Sequence, residues 1–309
     1  MRRLFIIIQL LCASVTLMAQ ECDLPLSIAF ANDAEHIPQA AERSIANRLK
    51  QILTQNGVSG NLAFEQFALI PKFEFLDKYV VAGPPVKHVY NLNLILEIRD
   101  TQEGTVFATY SSEINAVGEN ETKAYMAAIR QVAPQSQQIK SFISRGRTKI
   151  TLYYNKNYQR IIQKARLLSG MNKDEEALYH IMSIPECCDG YATAMQEGLH
   201  IYQKLIDREG EKLLMKARAI WAAGNNDEAA SDAAFLLTQI DPSSKAYKQA
   251  GSLLNEIKAK SSKNAPWNFE MQVYKDAVSL QEQRIAAAKA VGVAFGQGQQ
   301  QQTNLLFVR

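Results

Sequence analysis

Apolar residues alternate with polar ones in the first half of the chain. In the second half they recur every three or four positions. The clearest alternation covers 89–99, where Leu92, Leu94, Leu96 and Ile98 interleave with Asn91, Asn93, Ile95 and Glu97. A period of two marks a strand with one buried face, and Ile95 implies partial cover on the other. A turn over 100–104 and a returning run over 105–117 complete an antiparallel hairpin. Upstream, 26–30 reads as a short buried strand. Segments 64–71 and 72–81 read as extended, ahead of a turn at Gly83-Pro84-Pro85. A helix is predicted over 37–53, with Ile37, Ala41, Ile45, Leu49 and Ile52 as its stripe, Pro38 in its first turn and Asn56-Gly57 at its end. A second helix is predicted over 123–132, ending before Pro134.

The stretch 135–170 divides the two patterns. Ile139, Ile143, Ile150, Tyr154, Tyr158, Ile161, Ala165 and Leu168 form the stripe of one long amphipathic helix. Lys140, Arg145, Arg147, Lys149, Lys156, Arg160, Lys164 and Arg166 occupy its other faces, and no Asp or Glu occurs between Thr122 and Lys173. Helices are then predicted over 174–184, 190–206, 211–223, 227–240 and 244–260. A last helix over 269–290 follows Pro266-Trp267, with Met271, Tyr274, Val278 and Ile285 buried. Residues 292–302 are rich in Gly and Gln and read as a flexible tail. The closing apolar tag Leu305-Leu306-Phe307-Val308 has two readings. It docks on the protein's own surface, or it adds as a strand to a partner's sheet edge.

An internal repeat runs through the helical half. Lys164-Ala165-Arg166 recurs as Lys216-Ala217-Arg218, and Glu176-Ala177 as Glu228-Ala229, at one offset of 52. The signature Lys216-Ala217-Arg218, Gly224-Asn225, Asp227-Glu228-Ala229-Ala230 and Pro242 resembles tetratricopeptide-type helical hairpins. The match is best over 211–242 and looser over 160–185. The offset exceeds that family's period of about 34, which implies an extra helical segment per unit.

In the first half, Leu26-Ser27-Ile28-Ala29-Phe30 precedes Asn32-Asp33 and the helix over 37–53. Leu96-Glu97-Ile98-Arg99-Asp100 is followed by Gly104-Thr105-Val106, Gly118 and a helix with Ala124, Ala127 and Ala128. This order is similar to the periplasmic domains of the curli-secretion lipoprotein family and its relatives that activate penicillin-binding proteins. It is also similar to the amino-terminal domain of the translocation protein TolB. The resemblance implies a partner-binding domain of the bacterial envelope, carried by structural motifs and not catalytic ones. The curli pore's membrane-spanning hairpins have no counterpart in this reading. The fold class is therefore α+β: a small α/β domain with an antiparallel hairpin over 20–134, then an all-α, tetratricopeptide-like repeat domain over 135–265. A C-terminal helix over 266–291 and a tail over 292–309 complete the chain.

Composition adds an address. Arg2 and Arg3, an apolar run from Leu4 to Leu17, and Met18-Ala19 before Gln20 fit a cleavable secretory signal over 1–19. An Ala followed by Gln at the cut resembles signals common in Bacteroidota. Secretion across the inner membrane to the periplasm or outer-membrane periphery is the expected localisation. The mature chain is near neutral, with an acidic first half and a basic second half. Cleavage leaves Cys22, Cys187 and Cys188. Adjacent cysteines bridge only with strain, so Cys22 pairs with one of the other two, or all three stay unpaired.

The candidate chemistry is sparse. His180, Cys187, Cys188 and His200 fit no zinc spacing, so no metal is expected. There is no Gly-x-Ser-x-Gly, His-Glu-x-x-His, phosphate-binding Gly-Lys loop or dinucleotide fingerprint, so neither an enzyme nor a cofactor is expected. The remaining candidate is a binding surface for an anionic ligand or partner on the basic helix. It comprises Arg145, Arg147, Lys149, Lys156 and Arg160 with the interleaved Tyr153 and Tyr158. The plainer reading turns these charges to water or to the acidic first half. The sequence thus points to an adaptor or scaffold for envelope or outer-membrane proteins, with an anionic lipid or glycan as the alternative partner. The secretory signal argues against nucleic acid.

Overall fold

The computed structural model describes residues 24–31, 37–58, 66–261, 277–300 and 305–307. The chain has an α+β fold, with a sheet in its first half and helices through its second. The predicted signal, Cys22, and Met271 and Tyr274 lie outside the described residues.

β1 (Ser27–Ala31), β2 (Phe67–Val81), β3 (Lys87–Asp100) and β4 (Val106–Gly118) form the sheet. β5 (Leu305–Phe307) completes it in the order β4-β3-β2-β1-β5. β1 runs parallel to β2, and every other pairing is antiparallel. The tag at the C-terminus therefore pairs with the protein's own β1, Leu306 opposite Phe30. Sequence reading split β2 at Pro71, yet the strand is continuous. Asp100 N–H donates to Thr105 O across the turn, so even-numbered β3 residues face β4 and odd-numbered ones face β2. Arg99 pairs with Ala68 and Glu97 with Ile70, which leaves Pro71 aimed away from β3. On that side β1 reaches only Ala68 and Leu69, so no ladder bond requires an N–H at Pro71.

Period two sorts the two faces. Leu69, Phe73, Leu92, Leu94, Leu96 and Ile98 enter one core with α1 (Gln39–Gln55), α2 (Glu121–Gln131) and α3 (Gln137–Gly170). The opposite face carries Lys72 and Arg99 paired to Glu97, and Asn93 bonded to Glu74 and Ser111.

α3 has 34 residues, about 51 Å at 1.5 Å per residue. Ser136 caps it by accepting from Ile139 N–H. Its first half packs under the sheet through Ile139, Phe142, Ile143, Gly146, Ile150 and Tyr154. A Cβ on Gly146 would fall inside the contact radius of Ile98 Cδ1, so the missing side chain sets how closely helix and sheet approach. Its second half packs through Ile162, Ala165 and Ser169 against α4 (Asp174–Met182) and α5 (Tyr191–Gly224). One core thus runs from Leu24 through Ile206, across the boundary drawn at 134.

α5 is a single 34-residue helix where sequence reading placed two, over 190–206 and 211–223. Gly210 lies within it because the segment before α7 (Tyr247–Lys260) lies against that point, with Ser244 Oγ where a Cβ would stand. Leu214, Ala217 and Trp221 form a second core with α6 (Asp227–Thr238) and α7. The offset of 52 recurs in contacts. Arg166 bonds Glu197 as Arg218 bonds Gln249, and Ala165 and Ala217 are both fully buried. At that offset Asn155 and Asp207 both accept from a backbone N–H through Oδ1, although the donors, Asp189 at 3.0 Å and Lys245 at 2.9 Å, are 56 residues apart. Left-handed Asn172 and Asn225 turn the chain after each long helix.

The predicted tail over 292–302 is also corrected: α8 (Ala277–Gln300) continues through most of it. Gly292 lies against the Leu178 and Tyr179 backbone and Gly296 against the Tyr179 ring. These glycines serve close helix packing rather than flexibility.

Replacing Gly146 by Val is expected to overpack this contact and cost about 2 kcal/mol, within the range for enlarged core residues. A urea midpoint equal to wild type would show that the contact has slack.

Candidate functional site

The exposed side of α3 gathers part of the residue set proposed from sequence. Arg145, Lys149, Lys156, Arg160 and Lys164 lie on one solvent-facing stripe, with the apolar Leu152, Leu167 and Met171 exposed along it. From Arg145 to Lys164 the stripe is about 28 Å long. Among the described residues no carboxylate forms an ion pair with Arg145, Lys149 or Lys156. Arg160 donates to Tyr153 Oη at 3.4 Å, and Tyr153 Oη donates to Glu103 at 2.9 Å. Burial, then Glu103, pushes the Tyr153 phenol up.

Two members of the set fall elsewhere. Arg147 is half-buried and turned about 160° from the stripe by the helical step of 100° per residue. Tyr158 is a packing residue, its ring filling the space that Gly190 leaves free. Sequence spacing registered these side chains as interleaved but not which contacts would claim them.

Beneath the stripe lies a polar knot that sequence reading did not find. Gln66, Asp100 and Tyr154 meet where the β3–β4 turn rests on α3. Asp100 is buried. Its Oδ1 accepts from Gln102 N–H at 2.8 Å and Glu103 N–H at 2.9 Å, shaping the turn. Its Oδ2 accepts from Gln66 Nε2 at 3.2 Å and Tyr154 Oη at 3.4 Å. Gln66 Nε2 also bonds Tyr154 Oη, while Gln66 Oε1 is buried without a partner. Burial raises the Asp100 carboxyl above its usual range, against the lowering effect of these donors. Burial and the nearby Asp100 push Tyr154 far above a free phenol. Burial, then Lys164, lowers His180. The adjoining cavity, lined also by Tyr179, His180 and Ser183, holds about 30 Å³. That is room for about one water, not for an organic substrate.

A larger groove, about 530 Å³, opens at the far end of the sheet between Pro38, Phe75, Leu76, Asp77, Lys78, Tyr90, Glu121 and Tyr125. The β2–β3 hairpin rises beside it with Leu76, Tyr79, Val80, Val81 and Val86 exposed. Lys78 Nζ sits 4.9 Å above the Tyr90 ring. The available signal was the apolar run 79–81 continuing to the turn with no polar alternation.

Cys187 is disulfide-bonded, so the three thiols are not all unpaired. Cys188 is a free, buried thiol, pushed up to about 11 by burial and Asp189. Among the described residues no three of His, Cys, Asp and Glu converge as a metal set, and no helix is long and apolar enough to cross a membrane. No family model, curated protein or solved structure matches the chain.

The buried carboxyl gives a signed pH dependence. Because its folded pKa is raised, the folded state binds the proton more tightly than the unfolded one. Stability from this group rises as pH falls through the folded value toward the ordinary 3.8. Asp100→Asn keeps the Oδ1 acceptor and lets Gln66 turn its orphaned Oε1 toward the new amide. The stability of wild type relative to Asp100→Asn is therefore expected to increase on acidification from neutral pH, read by urea denaturation. A difference independent of pH would show that Asp100 titrates normally.

Proposed function

We propose that the protein is a non-catalytic adaptor of the bacterial envelope that presents two separate binding surfaces on one rigid spine. The observation that carries this reading is the distribution of exposed large apolar residues. Leu76, Tyr79, Val80, Val81 and Val86 cluster on the β2–β3 hairpin, while Leu152, Leu167, Met215 and Phe235 lie on the helices and Met171 in the turn after α3. Exposed apolar clusters mark interaction surfaces in soluble proteins. The two groups sit on opposite halves of a chain whose shared core includes α3. The signal read at 1–19 supplies the envelope location. The likeness to periplasmic partner-binding domains and to tetratricopeptide hairpins supports the same division of labour.

Photo-crosslinking from Val80 and from Met215 in the producing cells tests it. Each position is expected to capture its own protein partner, and Tyr79→Ser with Val81→Ser should abolish only the hairpin partner. The same partner captured at both positions, or none at either, would contradict the two-surface reading.

A second reading is favoured by the unpaired charge of the α3 stripe: it binds an anionic lipid or glycan. Reversing Arg145, Lys149, Lys156 and Arg160 to Glu should then remove binding to vesicles containing phosphatidylglycerol. Wild-type protein that ignores such vesicles and lipopolysaccharide alike would dismiss that reading.

A further inference from the structure

β4 is the outermost strand of the sheet, and no described strand covers its second side. It is 13 residues long, with one charged residue, Glu113, and neither Pro nor Lys. A long edge with so few blocking residues is a template for another strand. Its free backbone groups can be assigned. Even-numbered β3 residues face β4, so their partners Ala108, Tyr110, Ser112 and Ile114 spend their backbone bonds on β3. Thr109, Ser111, Glu113 and Asn115 therefore point their N–H and C=O groups outward. The Asn115 carbonyl supports this, since it accepts from the exposed Gln131 side chain at 2.9 Å.

We propose that this edge is the interface between two copies of the chain, β4 pairing antiparallel with itself about Ser112. That register is self-complementary and centres the pairing on the four outward-facing residues. It sets Ser111 opposite Glu113 of the second copy and Thr109 opposite Asn115, so the only acid on the strand meets a hydroxyl and not its own copy. The irregularity at Ile98/Arg99 shifts Val106 by one place, so that Val117 meets Val106 of the second copy. Both valines are exposed, 49% and 43%, on the sheet's polar face. Across the sheet Val117 continues a row with Val89 and Tyr79, itself 48% exposed. Pairing extends this row across the two-fold axis. It also gives the Asn115 carbonyl a backbone donor in place of Gln131. The result is an isologous, ten-stranded sheet.

Sedimentation velocity of the full mature chain across the micromolar range tests the pairing. Wild type is expected to reach twice the monomer mass at the upper concentrations. Ser111→Pro removes an outward N–H and no backbone bond to β3, its one loss there being the side-chain bond to Asn93, so it should give a monomer with unchanged circular dichroism. Ser111→Lys should instead tighten the dimer about five-fold, because symmetry places the new cross-strand pair with Glu113 twice. Should the proline variant unfold, Val117→Lys, which changes only an exposed side chain, is expected to give the monomer. Wild type monomeric at every concentration overturns the proposal. So does a dimer that survives both Ser111→Pro and Val117→Lys, or a Ser111→Lys variant that weakens association.

Discussion

One helix is buried in both halves of this protein, and the rest of the structure depends on it. α3 enters under the sheet and leaves among helices without a break. The close approach of Gly146 to Ile98 and Ala108 fixes the first docking. The second is fixed by Ala165 and by a buried polar joint, in which Asp174 accepts from Ser169 at 2.6 Å and from Arg208. A continuous helix transmits position along its whole length because its backbone bonds are internal. The boundary read at Pro134 is thus crossed by one shared core. The end of α8 strengthens the closure, since β5 returns from the helical half to pair with β1.

The same device is used again one unit later. α5 serves the first core with Ala194 to Ile206 and the second with Leu214 to Trp221. At the changeover Asp207 is buried, which alone would raise its carboxyl. Bonds from Lys245, through both N–H and Nζ, and from Gln203 hold it below the usual range instead. The chain thus grows by long helices that each end one core and begin the next. That arrangement holds the hairpin end and the last helices at a set distance, as the adaptor reading requires.

Element type was legible where burial alone decided it. The strand over 89–99 and the helix over 135–170 follow from their periods, because one face of each meets a single continuous core. Boundaries were illegible where a distant contact decided. Gly210 reads as a break until the segment at Ser244 is seen against it. Gly292 and Gly296 read as a flexible tail until Tyr179 explains them. Glycine has two opposite uses, loosening a backbone or admitting a neighbour, and sequence alone does not separate them. The basic stripe was visible as charge, but the fate of Arg147 and Tyr158 depended on packing. The knot of Gln66, Asp100 and Tyr154 left no local signal, because its members are far apart in sequence.

Shared burial of α3 is the premise beneath both the spine and its two surfaces, and native-state hydrogen exchange tests it most directly. Buried amides between Ile139 and Ser169 are expected to open together with the sheet amides of β3, in one cooperative unit. Those of α6 and α7, which belong to the second core, are expected to open separately and at lower cost. If the two halves of α3 opened independently, one with the sheet and one with the helices, the spine would be two segments and the account would fail.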